Sequence, residues 1–359
     1  MRVLTVNTGS SSVKLRVLDA DDRVVTTRDS TPDDLADDVA DLVRDVDAVG
    51  HRIVHGGPDH VAPERVTDAL LADLRALTPL ASLHQPIALD AVIAVRRVAP
   101  DLPAVTCFDT AFHADLPAAA RTFALPREWR ERHDLRRYGF HGLSHAWSTR
   151  RAAELLGAPD RRLVIAHLGS GASLAAVRAG RPVDTTMGLT PLDGLVMATR
   201  SGAVDPGLVL WLVEHGGMSA HEVAEGIDRR GGLLGLAGTK DMREVLARSA
   251  AGDDDAALAL DVYLHRLAAS VAAMTAALGG LDALVVTGGV GEASADVRRL
   301  MVERLGFLGL ELDPGANDGF DPSAGIDADV SADGAAARVL VVPAREDAEI
   351  ARGTRSALG

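Results

Sequence analysis

Lysine and asparagine are nearly missing from this sequence. Of its 37 basic residues only Lys14 and Lys240 are lysines, and Asn7 and Asn317 are the only asparagines. A GC-rich coding bias, which replaces Lys with Arg and fills neutral positions with Ala and Gly, accounts for the shortage. It excludes a Walker A loop, because that loop needs Lys directly after Gly and no Gly-Lys pair occurs. Cysteine is reduced to Cys107, which excludes an intrachain disulfide and any cysteine-based zinc site and fits a reducing compartment. Long apolar runs are lacking too. The longest, Leu267 to Leu281, is Ala-rich and too short to span a bilayer. The opening segment 2–7 is far shorter than the apolar region of a signal peptide. These absences predict a cytoplasmic protein with no membrane partner. A net charge of −14 argues against a nucleic-acid partner, since a phosphate backbone calls for a basic surface. A small anionic substrate stays open, because a few local Arg residues outweigh a distant field.

What is present is ordinary globular material: 359 residues, 47% hydrophobic and 25% charged. That length exceeds one comfortable core, so two domains are expected. Apolar segments at 2–7, 13–18 and 22–28 read as a three-strand meander. A helix follows over 33–45, a strand over 48–54, helices over 62–77 and 86–97, and a strand over 104–109. A similar series restarts near 162, with strands at 163–167, 173–178 and 182–186, then helices and further strands at 283–287 and 338–342. Residues 6–17 (VNTGSSSVKLRV) align with 166–177 (AHLGSGASLAAV), with Gly9 over Gly169 and Ser10 over Ser170. Only three of those twelve positions are identical, so the repeat is one of pattern. Two α/β halves with mixed sheets, facing each other across a cleft, follow from it. Residues 313–335 read as a surface loop, with Asn317 in an unremarkable part of it.

Several stretches carry chemistry. Residues 7–14 (NTGSSSVK) make a strand–turn–strand whose amides, hydroxyls and Lys14 suit phosphate oxygens, although a plain Ser-rich hairpin reads equally well. Residues 51–57 (HRIVHGG) offer His51 and His55 as a metal pair, which the absence of a nearby third ligand disfavours. Arg52 in the same stretch suits an anion. Asp109, at the end of a strand, suits a hydrated Mg²⁺, or alternatively a helix N-cap. Residues 137–145 (RYGFHGLSH) gather aromatic and His side chains in a chain with only 3% aromatics, which favours a site wall. The long segment 184–207 holds a single Arg200, a candidate anion clamp. Residues 238–243 (GTKDMR) open a helix. The turn 288–292 (GGVGE) precedes another, where backbone amides can face phosphates.

Taken in order, these stretches resemble the acetate kinase (acetokinase) family over nearly the whole chain, ending at 346–352 (EDAEIAR). The resemblance implies two RNase H-like domains of the actin, sugar kinase and Hsp70 type, with mixed sheets around a central cleft. The expected division is 1–146, then a nucleotide-binding domain over 147–345, then a terminal helix over 346–359 packing back on the first domain. It also implies reversible Mg²⁺-ATP-dependent phosphorylation of acetate to acetyl phosphate, with Mn²⁺ able to substitute, in a homodimer. Carried over by motif, Arg52, Asp109, His141 and Arg200 are catalytic. Val54, Leu83, Phe140 and Pro191 form the methyl pocket. Ser10, Ser12, Lys14, His167, Gly169, Asp241, Met242, Arg243, Gly289 and Val290 hold phosphates and nucleotide, and Asn7 and Glu346 serve the metal.

Four departures stand out. The stretch between the first motif and residue 51 is shorter than is usual in the family. Ala293 stands where Asn is usual, residues 83–86 read Leu-His-Gln-Pro in place of Leu-His-Asn-Pro, and Ala344-Arg345 replaces Thr-Asn. Three other readings are open to such a sequence: a propionate or other short-chain acyl kinase, a pyrophosphate-dependent enzyme, and an ATP-binding protein of the same fold that phosphorylates no metabolite.

Overall fold

A computed structural model describes residues 1–9 and 12–359 of the chain. Twelve strands form two six-stranded mixed sheets. The first contains β1 (Val3–Thr8), β2 (Val13–Leu18), β3 (Val24–Ser30), β4 (Ala48–Ile53), β5 (Glu64–Arg65) and β6 (Ala104–Phe108), in the order β3-β2-β1-β4-β6-β5. The second contains β7 (Arg162–Leu168), β8 (Ala172–Arg178), β9 (Arg181–Thr185), β10 (Ala283–Thr287), β11 (Ala328–Asp329) and β12 (Arg338–Val341), in the order β9-β8-β7-β10-β12-β11. The two orders match strand for strand. In each sheet an antiparallel meander is followed by two parallel strands and a short antiparallel edge strand. The faint sequence repeat is therefore a repeat of topology, and the two mixed-sheet α/β halves expected from it are present.

Burial explains the strand sequences. The central parallel strand β10 (ALVVT) is buried at every position, as a strand covered on both faces must be. Edge strand β3 keeps most of its residues at least partly exposed. The helix Glu346–Leu358 packs closely on β1, β4 and β6. Two glycines permit it. A Cβ on Gly50 would collide with Thr354 Oγ1 and stand 2.6 Å from Ile350 Cγ2, and one on Gly353 would stand 2.9 Å from Cys107 Sγ.

Three expectations change. The helix expected over 62–77 starts only at Asp68, because Glu64–Arg65 pairs with β6 and Thr67 caps the helix by accepting from the Leu70 amide at 3.1 Å. The stretch 313–335 is not all loop: it holds the helix Pro314–Asp318, capped by Asp313, and β11. Asn317 is only 2% exposed. Finally, the apolar run from Leu267 is the end of a 25-residue helix, Asp254–Leu278, long and apolar enough by length and composition to cross a membrane. Here that helix packs on β7 and β8 and on the helices Gly232–Ala237 and Met242–Ala250, with Leu260, Tyr263, Leu264, Leu267 and Val271 buried.

Candidate active site

The ends of β1 and β4 bring together four polar residues that lie far apart in sequence. Arg52, at the end of β4, donates from Nη2 to Asp109 Oδ2 at 2.6 Å and from Nε to both carboxylate oxygens at 3.1 Å. Its Nη1 donates to Asn7 Oδ1 at 3.2 Å and to the Thr8 carbonyl at 3.3 Å. Asn7 Nδ2 then donates to Glu346 Oε2 at 2.6 Å. Burial works against the charge on Arg52, and Asp109 and Glu346 outweigh it, so the guanidinium stays firmly protonated. Burial pushes the Asp109 carboxyl above its usual range against the pull of Arg52. At Glu346 the balance reverses: burial raises the pKa, but Arg52, His167, the Asn7 amide and Lys14 together bring it below the ordinary value.

A second group lies across the hairpin that joins β7 and β8. His141 caps the helix Gly142–Leu155 in a left-handed conformation (φ 54°), without using its ring as a cap. Its ring stacks on His167 with centroids 4.4 Å apart. His141 Nδ1 lies 2.9 Å from Ser173 Oγ, and His167 Nδ1 lies 2.8 Å from Ser144 Oγ. Burial, with His167 and Arg52 close by, holds His141 well below 6.5, so the ring is neutral. Gly171 leaves open the space between His141 and Arg200. A Cβ there would stand 3.2 Å from His141 Nε2 and 3.5 Å from Arg200 Nη1. Arg200 is held from behind by the Pro191 carbonyl at 3.1 Å and by Asp228 at 3.4 Å.

A cleft of about 1000 Å³ runs between the two halves. Asn7, Lys14, His167, Gly169, Asp241, Met242, Arg243, Gly289, Val290 and Glu346 all line it. Arg243 turns its guanidinium onto Asp241 at 2.6 Å. The glycine turn opens the short helix Gly289–Ala293. Glu292 folds back beneath it, accepting from the Gly288 amide at 2.7 Å and the Ala344 amide at 2.9 Å. Ala344 thus contributes a backbone donor that Thr would supply equally well. Arg345 pairs with Asp347 at the rim. Ala293 also lines the cleft, where an Asn would add an amide.

Not every expected residue joins these groups. Ser12 is exposed, is not among the cleft-lining residues, and contributes its carbonyl to the Gly9 amide at 2.8 Å. Ser10 lies outside the described residues. Val54 and Phe140 are buried in one apolar cluster, whereas Leu83 and Pro191 line a separate 340 Å³ pocket beside Arg200. His51 stays inside the first sheet, and His55 Nδ1 accepts from the Gly57 amide at 2.9 Å.

Sequence reasoning passed over several supporting residues. His84 lines the smaller pocket, and burial, with Arg200 and Arg52 nearby, lowers it to about 4. Gln85, the departure from Asn, is fully buried and satisfied: it accepts from the His55 amide at 3.1 Å and donates to the His55 and Leu74 carbonyls at 2.9 and 3.2 Å. Arg298 is buried against Asn317 at 2.7 Å and donates to the Gly291 and Glu292 carbonyls at 2.9 and 2.7 Å. Ser173 and Ser144 carried a readable signal, each being a hydroxyl among buried neighbours.

A large cleft lined by residues of both matching halves is the natural place for a ligand. The model of the acetokinase family matches residues 29–352. An acetate kinase of Clavibacter sepedonicus is 47% identical over 314 residues, 87% of this chain and 78% of that protein. One from Streptomyces griseus subsp. griseus is 42% identical over 400 residues, all of this chain and 96% of the relative. That match is longer than the 359 residues here, so the relative carries segments this chain lacks. Among solved structures, Porphyromonas gingivalis acetate kinase superposes with a TM-score of 0.90 at 34% identity over the whole of both chains. A propionate kinase from Francisella tularensis subsp. tularensis SCHU S4 superposes with 0.92 at 32% identity over 99% of each. The chain belongs to the acetokinase family.

Proposed function

We propose that this protein is an acetate kinase that transfers the γ-phosphoryl group of ATP reversibly to acetate, giving acetyl phosphate and ADP. A carboxylate oxygen of acetate forms the new bond to phosphorus, and the bond from phosphorus to the β,γ-bridging oxygen breaks, its electrons leaving with ADP. The carboxylate is already a nucleophile at neutral pH, so no general base is required. The obstacle is repulsion between two anions, and the protein's task is positioning and charge neutralisation. The observation that carries this reading is that His141 Nε2 and Arg200 Nη1 both border the space a Cβ on Gly171 would enter. In the proposal Arg52 and Arg200 hold the carboxyl group and the moving phosphoryl, and His141 hydrogen-bonds the phosphoryl. Asp109 acts by fixing Arg52. Of the four residues carried over for the methyl group, Leu83 and Pro191 line the pocket beside Arg200 and accept it there, while Val54 and Phe140 belong to the buried apolar cluster. Lys14 and the glycine turns receive the phosphates, and Asp241 to Arg243 the adenosine.

Asn7 and Glu346 fit a magnesium ion that keeps most of its water. They offer one amide and one carboxylate, and the described residues contain no cluster of three His, Cys, Asp or Glu side chains suited to a metal. Asn7 and Glu346 would hold the ion through its waters, and Mg²⁺, or Mn²⁺ in its place, would supply charge neutralisation there.

The division into domains at 146 and 345 belongs to the same proposal, supported by the two sheets spanning 3–108 and 162–341. A homodimer in the cytoplasm, without nucleic-acid or membrane partners, completes it. Support for the dimer is the helix Pro206–Glu214, which exposes Leu208, Leu210, Trp211 and Val213 together. Support for the remainder is the acidic charge and the single buried Cys107.

A propionate kinase is the second reading, favoured by the likeness to the Francisella enzyme. One methylene is worth only about 1–3 kcal/mol of discrimination in an apolar pocket. The test is acyl phosphate trapped as hydroxamate from acetate, propionate and butyrate, each with ATP, GTP and pyrophosphate. Acetate with ATP should give the highest kcat/KM. Higher values with propionate would install the second reading, and no product with any pair would remove both.

A further inference from the structure

We infer that Ser173 fixes which ring nitrogen of His141 carries the hydrogen, making it a positioning residue for phosphoryl transfer. The inference rests on the reading of the cleft given above. Ser173 lies in β8 and is fully buried, in a strand whose other residues up to the exposed Arg178 at its end (Ala172, Leu174, Ala175, Ala176, Val177) are apolar and buried. Its hydroxyl stands between two rings, 2.9 Å from His141 Nδ1 and 2.8 Å from His145 Nε2. Burial keeps both rings neutral, with His167 and Arg52 beside His141 and with His113 and His167 beside His145 adding to it. Each ring therefore carries one hydrogen, and the hydroxyl has one hydrogen of its own.

Three arrangements make both bonds, but one of them, in which both rings donate to Ser173, strands the buried hydroxyl's own hydrogen, since Oγ has no other partner; two remain. In one, His145 Nε2–H donates to Ser173, Ser173 donates to His141 Nδ1, and the His141 hydrogen sits on Nε2. In the other every bond is reversed, and the His145 hydrogen sits on its Nδ1. His145 decides between them, because its Nδ1 is buried and finds no hydrogen-bond partner. The reversed arrangement would leave an orphaned N–H there, whereas the first leaves only an unused lone pair. Orphaned buried donors are the rarer of the two in folded proteins. The rings of Phe112 and His113 pack against His145, 6.4 and 5.5 Å away by centroid.

The first arrangement has a consequence for chemistry. It turns His141 Nε2–H toward the space at Gly171 that Arg200 also faces. A transferring phosphoryl there meets two hydrogen-bond donors. The reversed arrangement would present it with a lone pair. His141 accordingly acts as a donor throughout, without gaining or losing a proton, and Ser173 and His145 keep it so.

The test reads the ring nitrogens directly, by long-range ¹H–¹⁵N correlation on ¹⁵N-labelled protein, with His141 resonances assigned from their loss in His141→Gln. In the wild type His141 Nδ1 should be of the bare, acceptor type and Nε2 of the protonated type. Ser173→Ala should mix the two forms and lower kcat by about 10- to 100-fold, with KM for acetate and ATP unchanged. Ser173→Thr, which keeps the hydroxyl, should retain the wild-type tautomer and most of the turnover. A protonated Nδ1 on His141 in the wild type overturns the inference, as does a Ser173→Ala protein with wild-type tautomer and kcat. The wild-type spectrum is taken without substrate. It therefore decides the tautomer even if Ser173→Ala does not fold, and even for a protein that makes no acyl phosphate.

Discussion

At the scale of single residues, the site depends on what is left out as much as on what is present. Gly171 has no side chain, and the volume a methyl group would fill is the volume between His141 and Arg200. Gly171→Ala should therefore cut turnover by about 100-fold or more with the fold retained by circular dichroism, since the nearest atoms the alanine methyl meets belong to the His141 and Arg200 side chains. Wild-type turnover in this variant would show that nothing reacts there. Arg200→Ala should lower kcat by about 10²- to 10³-fold, the usual cost of removing a fixed donor to developing charge, with an unaltered circular dichroism spectrum. The scarcity of Asn and Lys turned out to be only partly informative. Asn7 links Arg52 to Glu346, and Lys14 and Lys240 line the cleft. Asn317 is far from a bland loop residue: it satisfies Arg298, whose other hydrogen bonds hold the glycine turn. A buried Arg needs a neutral acceptor on that face, and nothing local in the sequence says that the two residues meet.

At the scale of elements, local signals read well where the pattern is strong and fail where a tertiary contact takes over. The meander β1–β3 and its counterpart β7–β9 were legible because alternation and glycine turns are properties of neighbouring residues. The two-residue strand at Glu64–Arg65 was not, because only β6 gives it a reason to be extended. The positions of Arg52, His141 and Arg200 were legible as motifs. Their convergence was legible only through the family resemblance, since in the chain itself it comes from the sheet order. Gly50 shows how an element depends on one missing atom. Gly50→Ala should destabilise the protein by about 1–3 kcal/mol, because the added methyl strikes Thr354 and Ile350 and pushes the helix Glu346–Leu358 off the sheet. Urea denaturation measures it. Because that helix begins with Glu346, the affinity for the metal–nucleotide complex should fall as well.

At the scale of the molecule, buried histidines set the acid limit. Burial lowers His51 to about 3 and His55, His84 and His113 to about 4, against 6.5 in an unfolded chain. Between those values the unfolded chain binds protons that the folded protein refuses, so stability rises with pH across the window. It is fully present above about 6.5 and drains away as the pH falls toward 4. The thermal midpoint should therefore decline steadily from pH 6.5 to 4, and a flat profile over that range would contradict the assignment of neutral rings. Asn7 and Glu346 meet across 339 positions of chain. Pairing so remote comes late on any folding route, after the sheets have supplied their own local contacts. On dilution from urea, the far-ultraviolet signal should recover first and catalytic activity afterwards, with a measurable interval in which the protein is shaped like an enzyme and is not yet one.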